Sequence, residues 1–157
     1  MRGFAVLFTL ATVMSVAGCD GAPFTKTTAQ SSSLTALTIT SSSITHQFDV
    51  EIARAPDDQA RGLMFRTAVP PFGGMLFPLS PPREASFWMK NTVIPLDIIF
   101  IRADGTIARI AAETIPYSLE YESSGEPVAA VLEIAGGRAS ALGISEDDKV
   151  SWNDAQN

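Results

Sequence analysis

The sequence predicts a mainly β domain, a compact β-sandwich or irregular barrel of seven to eight short strands with one or two short helices. Three observations predict it. Short apolar or alternating runs recur along the chain, each only a strand long. Turn residues such as Pro70-Pro71-Phe72-Gly73-Gly74 and Asp104-Gly105 separate them. Only two stretches carry helical character, which favours a β architecture over an alternating α/β one.

The elements follow in order. Residues 37–40 read as an opening strand. Ile44–Ile52 alternates, with Ile44, His46, Phe48, Val50 and Ile52 on one face and Thr45, Gln47, Asp49 and Glu51 on the other. That is a half-exposed strand. Residues 55–66 read as a short helix: Pro56 suits a first turn, Asp57 and Asp58 complement its dipole, and Ala60, Leu63 and Met64 share a face. A turn-rich break at 70–74 precedes a short strand at 75–77. A loop at 78–83 and a strand at 86–89 come next. Residues 96–102 form a continuous apolar run, and Asp104-Gly105 predicts a two-residue hairpin into 106–112. A polar acidic loop (117–126), a buried strand (127–134), a short helix (136–142) closed by Gly143, and a last strand, Lys149–Trp152, complete the domain.

The amino terminus reads as an export signal. Arg2 precedes an uncharged apolar run at 4–16, too short for the roughly 20 residues of a transmembrane helix. Val16-Ala17-Gly18-Cys19 resembles a bacterial lipobox, which implies cleavage before Cys19 and attachment of diacylglycerol to its thiol. Residues 1–18 are then a signal peptide, 19–35 a lipidated cysteine with a small, polar, flexible tether, and 36–157 a single globular domain. This places the protein at the periplasmic face of a membrane, held by its lipid. With the sole cysteine acylated, thiol catalysis, disulfides and thiolate-bound metals are excluded.

Without Arg2 the mature chain has ten Lys and Arg against seventeen Asp and Glu, a net charge of −7. No basic stripe exists to hold nucleic acid. The remaining motifs exclude more chemistry. His46 is the sole histidine, so neither a Ser-His-Asp arrangement nor a zinc site is supported. The acidic loop around Glu120, Glu122 and Glu126 lacks the dense ligand spacing of a calcium loop. No cofactor and no metal is expected, and the chain is expected to be a monomer.

Polar groups set in apolar strands mark where the chain does more than fold, because a buried polar group needs a partner. Trp88, Lys90 and Asn91 stand at the mouth of one such segment. With Trp88 and Lys90 on one face they would suit a sugar- or carboxylate-bearing ligand. The plainer alternative buries Trp88 in the core and pairs Lys90 with Asp97. Asp97 and Glu133 both lie among apolar neighbours, where an unpaired carboxylate has a raised pKa. They would be either an acid–base pair or structural charges, neutralised by Arg61, Arg66 or Lys90. The Gly136-Gly137 amides are a further candidate cap for Glu133.

Gly62-Leu63-Met64-Phe65-Arg66, Met75-Leu76-Phe77, Phe87-Trp88-Met89-Lys90-Asn91-Thr92, Pro95-Leu96-Asp97 and Leu132-Glu133 occur in this order. Together they resemble the domain-of-unknown-function family 192, over roughly residues 45–152. The resemblance implies a compact, mainly β, sandwich- or barrel-like fold, and no activity. One departure is visible. Many relatives resemble Gly-Asp-x-Val near the end, whereas this chain has Asp147-Asp148-Lys149-Val150, and a non-glycine residue resists positive φ at such a turn.

Three functional expectations follow. The first is a non-catalytic module that binds a saccharide or carboxylate ligand through Arg61, Arg66, Trp88, Lys90 and Asn91. The second is a hydrolase using Asp97 and Glu133, which requires both carboxyl groups in one cleft. The third is a Cu(I) carrier using Met64, Met75 and Met89, with Trp88 and His46 nearby.

Overall fold

The computed structural model describes residues 34–42 and 44–153. All of them belong to the unit Ser31–Asn157, so the leader, Cys19 and nearly all of the tether lie outside the described residues. The elements are β1 (Thr35–Ser41), β2 (Ile44–Ile52), α1 (Pro56–Arg61), β3 (Gly73–Arg83), β4 (Ser86–Phe87), β5 (Leu96–Ile101), β6 (Ile107–Ala111), β7 (Glu122–Ser123), β8 (Val128–Ala135), α2 (Arg138–Leu142) and β9 (Lys149–Trp152). Seven strands form one sheet in the order β6-β5-β8-β3-β2-β1-β9, and β4 pairs with β7. The fold is mainly β, as its sequence predicts.

The large sheet curls until its two edge strands meet. Thr106, just before β6, bridges Lys149 of β9. The Ile107 N–H donates to the Asp148 carbonyl at 2.9 Å, and the Val150 N–H to the Gly105 carbonyl at 2.8 Å. Curling buries two faces differently. The inner face holds Leu37, Ile39, Phe48, Val50, Leu76, Ile99, Ile101, Ile107, Leu132 and Val150, drawn from all seven strands. The outer face of β3, β8 and β5 holds Met75, Phe77, Ile98, Phe100 and Val131. Leu63, Ala85 and Met89 cover it from the loops. A strand with apolar groups on both faces reads as a continuous run, which is why β5 and β8 carry no alternation.

Several boundaries differ from the sequence reading for identifiable reasons. β3 runs through the expected glycine break and the expected loop, from Gly73 to Arg83. Gly74 is there for space: a Cβ would stand 2.4 Å from the Glu133 carbonyl. β2 and β3 are parallel, joined by a crossover through α1, which ends at Arg61 because Gly62 turns to φ 49°. The turn after β5 has three residues rather than two. Arg102 N–H meets the Thr106 carbonyl, Gly105 N–H returns to the Arg102 carbonyl, and Gly105 sits at φ 84°. The expected strand at 86–89 ends at Phe87.

The departure at Asp147 leaves the last turn intact. Asp147 adopts φ 68°, the conformation a glycine would favour. Its carboxylate takes Arg102 Nη1 at 3.0 Å. Asp tolerates this region better than most residues.

Candidate functional site

Two carboxylates sit on adjacent central strands, and the register between those strands separates them. Asp97 pairs with Ile134, while Glu133 pairs with Ile98 on β5 and Met75 on β3. Ile134 belongs to the inner core, and Ile98 and Met75 to the outer one. Paired residues share a face, so Asp97 points inward and Glu133 outward. The acid–base pair expected from the sequence is therefore not formed. The sheet stands between its members.

Asp97 is fully buried and fully engaged. Its Oδ1 accepts the backbone N–H groups of Glu113 at 2.8 Å and Gly137 at 2.9 Å, and its Oδ2 that of Ala139 at 2.8 Å. No guanidinium or ammonium is involved, contrary to the ion pair with Lys90. The carboxylate ties the turn after β6 to the start of α2, taking up amides that a helix start leaves open. Those include the Gly137 amide, a candidate cap for Glu133 in the sequence.

Glu133 is buried without a partner. Its Oε2 is enclosed and makes no hydrogen bond. Neither backbone amides nor Arg61, Arg66 or Lys90 neutralise it. Burial alone pushes the carboxyl up to about 8, so it is predominantly neutral at pH 7. It forms part of the floor of an open cleft of about 360 Å³. Phe77 and Leu79 of β3 complete the floor. One wall is α1 with the turn behind it, residues 59–64; the other runs from Arg83 to Trp88. Gly62 leaves the space above the carboxyl open, since a Cβ there would lie 3.3 Å from Phe77 Cζ and 3.7 Å from Glu133 Oε2. Phe77 is held edge-on by Phe87 at 5.1 Å, which packs in turn against Phe100.

The structure divides the remaining candidates. Arg61 and Trp88 line the cleft. Trp88 is half-buried, stacked on Tyr121 at 5.3 Å, with Lys90 Nζ 4.9 Å from its ring centre. Its burial therefore comes from a rim aromatic, not from the core. Arg66 is not part of the cleft: it makes a two-pronged ion pair with Glu51 at 2.8 Å. Asn91 serves the turn, at φ 57°, with its carbonyl accepting the Phe65 N–H at 2.9 Å and its Nδ2 3.8 Å from Met64 Sδ.

Within the copper set, His46 stands apart. His46 pairs with Ile39 and so lies on the inner face, across the sheet from Met75 and Met89. Met75 and Met89 pack in the outer core, and the Met89 sulfur accepts the Thr114 hydroxyl at 3.1 Å.

Sequence reasoning missed Arg83, which lines the cleft from the far end of β3. It follows Pro81-Pro82 in a stretch that reads as loop, and no local signal marks it. Seven arginines are described, and five have partners. Arg66, Arg102 and Arg109 pair with carboxylates, Arg138 donates to the Pro71 carbonyl and covers Phe72, and Arg54 is engaged as well. Among the described residues, the guanidiniums of Arg61 and Arg83 bond to nothing, and these are the two that line the cleft.

The model of the family DUF192, described as an uncharacterized ACR, matches residues 37–152. The chain belongs to DUF192. Two solved structures are similar to it. One is of a protein of unknown function from Novosphingobium aromaticivorans DSM 12444, 48% identical over 76% of this chain and 85% of that one, with a TM-score of 0.74. The other, from Sinorhizobium meliloti 1021, is of a candidate transcription regulator, 40% identical over 76% of this chain and 93% of that one, again with a TM-score of 0.74. A comparison with curated proteins gives no match. The match thus spans the described sheet except the first two residues of β1, and includes both walls and the floor of the cleft.

Proposed function

We propose that this DUF192 member is a lipid-anchored envelope protein whose domain binds a small ligand, without catalysis, in the cleft above Glu133. One observation carries the reading: a buried carboxyl without a hydrogen-bond partner lines an open cleft. Buried polar atoms are nearly always hydrogen-bonded, so the Glu133 carboxyl is the place where a ligand's polar group completes the site. The volume lies at the small end of the roughly 300–1,000 Å³ of ligand pockets. Leu63, Phe77, Leu79 and Phe87 give it the apolar walls, and a few polar groups the orientation, that such pockets share.

Three further points support the reading. Asp97 faces away, so the Asp97–Glu133 pair on which the hydrolase reading rests does not share the cleft. Ser86 lines the cleft, but the single histidine belongs to the other face and cannot activate it. The acidic balance of the chain and the lipobox at Cys19 favour an anchored envelope module over a nucleic-acid partner.

Thermal unfolding of the full chain against a panel of envelope saccharides, peptidoglycan fragments and small carboxylates tests the proposal. A true ligand raises Tm, by the equivalent of about 2.7 kcal/mol at 100-fold excess over Kd. The shift should be lost in Trp88→Ala and reduced in Glu133→Gln. A panel with no active member, or a ligand whose shift survives both substitutions, overturns it. Palmitate labelling that persists in Cys19→Ala would overturn the anchor.

A further inference from the structure

We infer that the cleft takes a hydroxylated carboxylate of the sugar-acid class, with the Glu133 carboxyl meeting a ligand hydroxyl and Arg61 and Arg83 answering its negative charge. The inference rests on the binding reading above and names its ligand class. The argument starts from charge. The chain is acidic as a whole, yet the charged side chains lining the cleft are Arg61, Arg83, Glu84 and Glu133. Glu84 already accepts the Ser123 hydroxyl at 2.8 Å. Among the described residues the two guanidiniums have no partner, although the five other described arginines all do. An arginine left unpaired beside a cleft in an acidic protein offers a planar, multi-donor anion site.

The floor requires the opposite of a second cation. The elements packed around Glu133 are β5, β3, α1 with its following turn, and the wall from Arg83 to Trp88. β5 and β3 place Ile98 and Met75 beside it, and neither is charged. The other elements contribute Arg61, Arg83 and Glu84. Burial alone keeps the carboxyl neutral at pH 7, so it offers an O–H donor as well as an acceptor. With Glu133 neutral, two guanidiniums against the one carboxylate of Glu84 leave the cleft net positive, which disfavours an amine and favours an anion. Trp88 and the apolar walls suit the carbon face of a ring.

Proton exchange distinguishes the classes. A bound anion favours protonated Glu133, so affinity falls as pH rises through about 8 and complex formation takes up a proton there. A bound amine would do the reverse.

Three sugars of the same ring test this with the full chain: glucuronate, glucose and glucosamine, by isothermal titration at pH 7 and pH 9. Glucuronate should bind best, and more weakly at pH 9. Arg61→Gln and Arg83→Gln should each weaken it about tenfold or more while leaving glucose unchanged. In Glu133→Gln the pH dependence should vanish. Preference for glucosamine, equal binding of all three, binding of none, or glucuronate affinity indifferent to both arginines overturns the sugar-acid assignment. The broader binding reading fails separately, on its own panel and on Trp88→Ala.

Discussion

Asp97 and Glu133 are two carboxylates on neighbouring strands, both buried, yet their chemistry differs because their faces differ. The inward one meets the ends of two turns, whose amides converge on it. The outward one meets a glycine, a phenylalanine ring and open space. Burial by itself is therefore no sign of function in this protein. What marks Glu133 is burial without satisfaction, and what marks Asp97 as architecture is the completeness of its hydrogen bonding.

The largest way to break that contrast is to remove the satisfied partner. Asp97→Ala leaves three amides without an acceptor, that of Ala139 buried and those of Glu113 and Gly137 partly so, and should cost about 3–5 kcal/mol in urea denaturation. Asp97→Asn should cost less but still destabilise, since its NH₂ faces N–H donors. If both substitutions are mild, Asp97 is not the staple described.

Glu133 gives the next effect, with the opposite sign. Its folded pKa of about 8 lies above the ordinary value of 4.5, so the folded state holds the proton more tightly. This stabilising contribution is fully present below pH 4.5 and lost as pH rises through about 8. Across that window stability should fall by up to about 1.4 kcal/mol per pH unit from this group. Glu133→Gln should remove that component and exceed the wild type in stability at pH 9. Denaturation series at several pH values, on both proteins, decide it. An unchanged slope in the variant would show that Glu133 is not the titrating group.

Exposed charges supply the small end of the scale. Arg66→Met breaks the ion pair with Glu51, in which Arg66 is 44% exposed, and should cost less than about 1 kcal/mol. Asp147→Gly exchanges a weak, exposed pair with Arg102 for relief of positive φ. A gain of about 0.5–1 kcal/mol in Tm-derived stability is expected. A loss would mean that the Arg102 contact outweighs the backbone strain.

Much of the fold was legible where the signal is local. Ile44–Ile52 alternates and is a strand between those same bounds, and Lys149–Trp152 likewise. Positions with a tertiary cause were not. Gly73 and Gly74 read as a break, because nothing in the chain nearby reveals that the Glu133 carbonyl will press against Gly74. The hairpin at Asp104-Gly105 was one residue longer than its dipeptide implies, and the β2–α1–β3 crossover is parallel where antiparallel neighbours are the simpler expectation. At the site, Trp88 and Arg61 were found through their unusual chemistry. Arg83 was not, because its importance lies in what it fails to touch.

The sequence by itself determined the strands with a local alternating or apolar signal, the family and the presence of two carboxylates in apolar company, since these depend on neighbours in the chain. Only the tertiary structure decided what each carboxylate does. Asp97 and Glu133 lie far apart in sequence, and the register that sets Ile98 opposite Glu133 puts their side chains on opposite faces. A slip of one residue would have placed both on the same face, because side chains alternate with a period of two. That register is a property of the assembled sheet, held by packing on both its faces, and no local pattern encodes it.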